Sequence, residues 1–556
     1  MKVRGIFLSL LLILTGGLIF ISGCQRYGDI AQSSSEKAIT AYAINGVAGT
    51  INETGKTIAV TMPSLTNVSS LRATFTTTGA SVKVGSTAQV SGATPNNFTS
   101  PITYTVTAED GTTVTYTVTV TVNRAWYNPA GITDNISPDG RRAELPQVAM
   151  DNNGNAIIVW QQYNGANYQI FKSVYKNGVW IHPSNLTDHI SSDAYDAHNP
   201  QVAMDNNGNA IIVWEQNNGI DSQIFKSEYR GGIWANPVKL ADITSPFLSG
   251  WDLLPHVAMD NNGNAIIVWQ QDDGAGWQVF KSEYGNGVWT NPLSLTDHIS
   301  LDGYSAGSSQ VAMDNNGNAI IVWGQSDGTN SQIFKSECRG GIWTNPSSIA
   351  DHISLNGQEA YSPQVAMDNN GNAIIVWDQY NGNGDWRIFK SEYREGVWHN
   401  PTNLADNISP NGSDADNPQV AMDNNGNAII VWSSNDGTNY QIFKSECNSG
   451  IWKNPANITD KINPDGLYAW YPQVAMDNNG NAVIVWRQYD GIAPQIFKSE
   501  YRGGAWTNPV DITDHINPNG SSAGSPQVAM DNNGSAIIVW QQSDGANDQV
   551  FKSEYR

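Results

Sequence analysis

Cysteine is nearly missing from this chain, with three in 556 residues. Cys338 and Cys447 occupy a position that is tyrosine in other copies of a repeat (Tyr229, Tyr284, Tyr393), and they lie two repeats apart. A disulfide needs Cα atoms within about 7 Å, so none is expected between them. Positive charge is also scarce. There are 29 basic against 51 acidic side chains, a formal charge of -22, and no basic cluster offsets it. Such a field repels nucleic acid and anionic lipid, which excludes a nucleic-acid role. The eight histidines (His182, His189, His198, His256, His298, His352, His399 and His515) are scattered without His/Cys metal spacing. They support no Ser–His–Asp order. The glycines serve β-turns rather than a phosphate loop. No catalytic residue, metal or cofactor is assigned.

What is present is repetition. A segment of the form Pro-Gln-Val-Ala-Met-Asp-Asn-Asn-Gly-Asn-Ala-Ile-Ile-Val-Trp occurs eight times with small changes, closing on Trp160, Trp214, Trp269, Trp323, Trp377, Trp432, Trp486 and Trp540, 54 or 55 residues apart. Each copy predicts four strands. In the first, Gln147–Met150 and Ala156–Trp160 flank a turn containing Asn153-Gly154, whose residues tolerate a left-handed backbone. Gln169–Ser173 follows, then Val179-Trp180, ended by Pro183. Four short strands per repeat predict a β-propeller blade. A parallel β-helix and an open solenoid are the rivals. The ends of the array favour closure, because Ala125–Pro129 matches the fourth strand and Arg556 falls just after the third. The fold predicted is all-β: an eight-bladed β-propeller of four-stranded blades over 124–556, closed by strand 125–129, preceded by a small β-sandwich over 36–123.

Before that sandwich, Met1-Lys2-Val3-Arg4 leads an apolar run from Gly5 to Ile21, the pattern of an export signal over 1–23, with a membrane-spanning helix as the alternative. Ile21-Ser22-Gly23-Cys24 resembles a bacterial lipobox. That resemblance implies lipid (palmitate) on Cys24, a lipidated tether over 24–35 and a cell-envelope location. Gln25 after the cysteine implies the outer membrane. The sandwich itself shows Ile102–Thr107, a turn at Glu109-Asp110-Gly111 and Thr113–Val120, alternating in period two. This hairpin resembles the immunoglobulin-like modules of bacterial surface proteins, which implies a spacer or adhesion unit.

Residues identical in every repeat are read first as scaffold. The turn aspartates (Asp151 and its counterparts) can bond their own backbone, with calcium as the alternative. Lys172 and its counterparts interrupt a sheltered strand, which predicts a lysine-to-carboxylate or lysine-to-carbonyl link between blades. Non-repeated aromatics in the loops of one common face are the ligand-binding candidates: Tyr163, Tyr168, Tyr195, Trp251, Trp277, Tyr380, Trp386, Tyr440, Tyr468 and Trp470. Flat aromatics beside polar groups suit glycans or extended polypeptides. The array resembles sialidase-like propellers, but Met150–Gly154 with Trp160 departs from their Asp-box, and Arg141, Arg142, Arg387 and Arg487 form no arginine triad. The function expected is a lipid-anchored extracytoplasmic binding or scaffold protein that recognises a glycan or protein through the propeller face. The alternatives are a glycan-active hydrolase and a purely structural envelope protein.

Overall fold

The computed structural model describes residues 33–64, 66–237, 252–410 and 414–556. Cys24, the leader before it and Trp251 lie outside the described residues. Among the described residues, regular structure is strand apart from one short 3-10 turn, Leu404–Asp406. No helix there is long and apolar enough to cross a membrane. The chain divides into two compact units, Met1–Asn123 and Arg124–Arg556.

The first unit holds a four-stranded and a six-stranded sheet. Alternation decides which side chains are hidden: along Thr57–Met62 every second residue, Ile58, Val60 and Met62, is buried. These meet Tyr104 and Tyr116 of the same sheet and Ile39, Tyr42 and Ile44 of the other in one core. The Ile102–Thr107 and Thr113–Val122 strands pair antiparallel with Thr113 opposite Thr107, and the second also runs parallel to Thr57–Met62. Asp110 Oδ1 accepts from Thr112 N at 2.9 Å in the turn between them.

The second unit is eight four-stranded antiparallel sheets. Sheet 1 runs from an inner strand, Ala143–Met150, through Ala156–Tyr163 and Tyr168–Lys176 to an outer strand, Val179–Ile181. Sheets 2 to 7 repeat this order, beginning at Ala197, Asp252, Ala306, Ala360, Ala415 and Ala469. Sheet 8 takes three strands from Ala523–Tyr555 and its outer strand from Trp126–Tyr127, with Trp126 opposite Tyr555. The Ala-Ile-Ile-Val-Trp run is buried on both faces because each sheet is covered twice. Ile157 and Val159 of sheet 1 face Ile212 and Trp214 of sheet 2, while Ile158 and Trp160 face Ile537 and Val539 of sheet 8.

The turn after each inner strand is built by its aspartate. Asp151 Oδ1 accepts from Asn153 N at 2.9 Å and Asn155 N at 2.8 Å, while Oδ2 accepts from Asn155 Nδ2 at 2.6 Å. Only Gly154 (φ 77°) is left-handed there. The turn is thus a right-handed turn with a left-handed glycine behind it, not one in which Asn153 shares that conformation. Neighbouring turns are then linked: Asn152 N donates to Asn206 Oδ1 at 3.1 Å, and this bond recurs from turn to turn. The last step is Asn532 N to Asn152 Oδ1 at 3.2 Å, which completes a circuit of hydrogen bonds. Inside it, a cavity of about 420 Å³ is lined by one Ala–Met pair from every inner strand.

The strand lysines form a different link from the one the sequence predicts. Lys226 pairs with Glu228 of its own strand at 2.5 Å, and its Nζ stands 4.9 Å over the ring of Trp289 in the next sheet. Trp289 Nε1 in turn donates to Glu228 at 2.7 Å. Arg230 adds a bond to Gly263 O at 3.0 Å and lies 3.8 Å over Tyr284. The bridge to the neighbouring sheet is therefore an aromatic ring stacked on the cation, with the carboxylate held in register beside it.

Candidate functional site

Antiparallel order puts the loops between second and third strands, and those between sheets, at one edge of the array. Each inner strand enters from that edge through a bulge. Its register shifts at Glu144/Gln147, His198/Gln201, Leu253/His256, Tyr361/Gln364 and their counterparts. At the bulge a residue other than glycine is left-handed: Leu145, Asn199, Leu254, Ser308, Ser362, Asn417, Tyr471 and Ser525, all with φ between 51° and 54°. This conformation costs on the order of 1–2 kcal/mol per residue and needs support. In four sheets the support is the side chain following the invariant tryptophan of the preceding sheet. Gln161 Oε1 accepts from Asn199 N, Gln270 from Ser308 N and Gln541 from Leu145 N, each at 3.0 Å, and Glu215 from Leu254 N at 3.3 Å.

In sheet 5 this supporting position is Asp378, a side chain shorter by one methylene. Its Oδ1 is buried without a hydrogen-bond partner. Burial, with the charge of Asp416 adding to it, pushes the Asp378 carboxyl up to about 6. Asp416 stands opposite Ser433 in sheet 6 and is itself raised by burial and by Asp414. Asp414 Oδ1 accepts from Trp386 N at 3.0 Å. Tyr361 lies directly opposite Asp378, and its ring is 5.6 Å from Trp386, which is 5.7 Å from Tyr380. Burial raises the Tyr440 phenol, with Asp416 and Asp414 adding to it. Three candidate aromatics thus meet a pair of carboxyl groups biased toward the protonated form.

A second cluster lies between sheets 1 and 2. Tyr163 and Tyr168 are 5.6 Å apart, Tyr168 is 5.1 Å from His198, and Tyr168 N donates to Asp196 Oδ1 at 2.7 Å. A cavity of about 390 Å³ here is lined by Asn167, Tyr195, Asp196, His198, Glu215 and Asn217 among others. Burial raises the Glu215 carboxyl and lowers the His198 imidazole, so both are pushed toward their neutral forms. Tyr468 and Trp470 make a parallel stack in sheet 7 at 5.2 Å. Trp277, opposite Asp272 in sheet 3, stacks on no other ring among the described residues.

Two of the four arginines, Arg387 and Arg142, are held by partners within the array. Arg387 is 3% exposed and spans Asp385 at 2.7 Å and Pro410 O at 2.9 Å. Arg142 bridges Glu144 and Asp548, and Arg487 belongs to sheet 7. Among the described residues no group of three or more His, Cys, Asp or Glu could hold a metal ion. Cys338 and Cys447 are buried and free. Asp378 and Glu215 are neither aromatic nor in loops: both sit inside strands. The available signal was the column after the repeated tryptophan, which reads Gln161, Glu215, Gln270, Gly324, Asp378, Ser433, Arg487 and Gln541 beside a motif that barely varies.

Residues 39–120 match the family described as SGBP, N-terminal. No curated protein matches the chain. Among solved structures it is similar to a Dyadobacter fermentans protein of unknown function, with 10% identity over 76% of this chain and 97% of that one and a TM-score of 0.36. A polysaccharide lyase, an ulvan lyase, shares 10% identity over 77% of this chain and 95% of its own, with a TM-score of 0.42. An α-L-arabinanase of Penicillium chrysogenum shares 14% over 55% and 92%, with a TM-score of 0.33.

Proposed function

We propose that this is a surface-associated, carbohydrate-related protein whose Arg124–Arg556 unit is an eight-bladed β-propeller behind an immunoglobulin-like sandwich, held at the cell envelope by lipid on Cys24. The circuit of turn bonds and the pairing of Trp126 with Tyr555 support the closed ring. The N-terminal match over 39–120 supports the surface assignment. The loop edge engages an oligosaccharide, with Tyr361, Tyr380 and Trp386 as the platform for a sugar face. The Asp378/Asp416 pair passes a proton to the glycosidic oxygen as its bond to the sugar carbon breaks, and the ionised carboxylate supports the positive charge on the ring. Water adds to that carbon and returns a proton to the pair. The observation that carries this reading is the carboxyl held up to about 6 beside a second carboxyl and an aromatic platform.

A binding-only reading is favoured by one observation. An aromatic pair recurs in sheet 7, Tyr468 on Trp470, away from the Asp378/Asp416 pair, as repeated weak contacts to one polymer would require. Incubating residues 36–556 with a panel of neutral and acidic polysaccharides, and measuring both retention and release of oligosaccharides, separates the two. Trp386→Ala is expected to weaken retention by about tenfold or more. Asp378→Asn is expected to abolish release while leaving retention in place. Retention without release by the unaltered protein would move the assignment to the binding module, and neither would remove the carbohydrate reading.

A further inference from the structure

The staple between neighbouring sheets is built from a lysine, a glutamate two residues on, and a tryptophan of the next sheet. Seven sheets carry the Lys–Glu pair, at Lys226, Lys281, Lys335, Lys390, Lys444, Lys498 and Lys552. Sheet 1 does not, because Val174 stands where the others have glutamate. Lys172 still lies over its tryptophan, Nζ 4.8 Å from the Trp234 ring, but among the described residues it has no carboxylate within ion-pair reach. Asp188 acts on it only at longer range, and burial pushes its amine down. Among the described residues Trp234 Nε1 donates no hydrogen bond, and neither does Trp343 Nε1, whereas Trp126, Trp180, Trp289, Trp398, Trp452 and Trp506 each donate to the glutamate. The arginine of the staple is replaced too: Lys176 reaches Tyr229 OH at 2.7 Å instead of the next turn.

A cavity of about 420 Å³ between sheets 1 and 2 is lined by Ile157, Val174, Ile181, Met204, Lys172 and Trp234 among others; its counterpart of about 360 Å³ between sheets 6 and 7 carries Glu446 where this one has Val174. We propose that this cavity between sheets 1 and 2 binds a small organic acid with an aliphatic or aromatic body. Its carboxylate takes the place of the absent glutamate, accepting from Lys172 Nζ and Trp234 Nε1, while the apolar body fills the space against Ile157 and Met204. A half-buried cation and an indole N–H, neither with an acceptor among the described residues, are satisfied together by one carboxylate, and hydrogen bonds to an ionised group are the stronger kind. The site is independent of the carbohydrate reading, since none of its residues belongs to the loop-edge clusters.

Calorimetric titration of residues 36–556 with 3-phenylpropanoate and with octanoate, each against its own amide, tests the assignment. At least one acid is expected to bind, at least tenfold more tightly than its amide. Val174→Glu, which restores the arrangement of the other sheets and therefore folds, is expected to weaken that acid at least tenfold. Lys172→Met is expected to do the same while keeping the apolar stem. Equal binding of acid and amide, unchanged affinity in Val174→Glu, or no binding of either acid at millimolar concentration would overturn the proposal.

Discussion

Asp378 shows how far one methylene can change a side chain's work. Where glutamine or glutamate fills this column, the side chain reaches the left-handed residue of the next sheet and is satisfied by it. Aspartate leaves Oδ1 buried and unpaired, and the cheapest remedy is a proton. The native state therefore holds that proton up to about pH 6, whereas the unfolded chain releases it near 3.8. Between those values the folded protein binds more protons than the unfolded one, so stability falls as pH rises through the window and stays lower above it. The gap corresponds to on the order of 3 kcal/mol. Asp378→Asn is expected to be more stable than the parent at pH 7.5 by up to about that amount, with the gain shrinking toward pH 4. Parallel urea titrations at both values check this, and a gain independent of pH would count against it.

At the scale of elements, the repeated turn is held by three bonds to one carboxylate. The carboxylate of Asp423 accepts from Asn425 N at 2.9 Å, Asn427 N at 2.8 Å and Asn427 Nδ2 at 2.7 Å, and is 1% exposed. Replacing it with alanine leaves two part-buried backbone amides without their acceptor, at up to about 1–3 kcal/mol each before water and relaxation reduce it. Asp423→Ala is expected to lower the denaturant midpoint by a corresponding amount with an unchanged m-value. The bond that Asn424 N makes to Asn478 in the neighbouring turn connects this loss to the rest of the belt. The same replacement at Asp406, whose loop is exposed, is expected to cost much less, since water can serve the freed donors there.

At the scale of the whole molecule, sheet 8 takes its outer strand from the far end of the array. Trp126 and Tyr127 pair with Tyr555 and Glu554, and Trp126 Nε1 donates to Glu500 at about 3 Å. Without that strand, Asp548–Tyr555 becomes an unpaired edge, and edges of that kind recruit other chains. Removing Ala125–Tyr127 is expected to lower the thermal midpoint and produce self-association, visible by light scattering coupled to size exclusion. Trp126→Ala, which keeps the backbone pairing, is expected to lower the midpoint without association. A monomeric deletion variant of unchanged stability would show that the latch is dispensable.

The sequence by itself determined the elements. Asn-Gly turns, apolar runs of strand length and a period near 54 residues dictate strand order locally, because each signal acts over a few neighbouring residues. The seam at Trp126 was legible for the same reason, as a unit cut out of phase at its two ends. What lay beyond it was any property set by residues far apart in the chain. Val174 in place of glutamate was legible beside Lys172, but that this leaves Lys172 over the Trp234 ring without a carboxylate emerges only once sheet 2 packs against sheet 1. Asp378 holds its proton only because the array hides it beside Asp416. Burial and charge coupling depend on distances through space, and those exist only once the sheets have packed against each other.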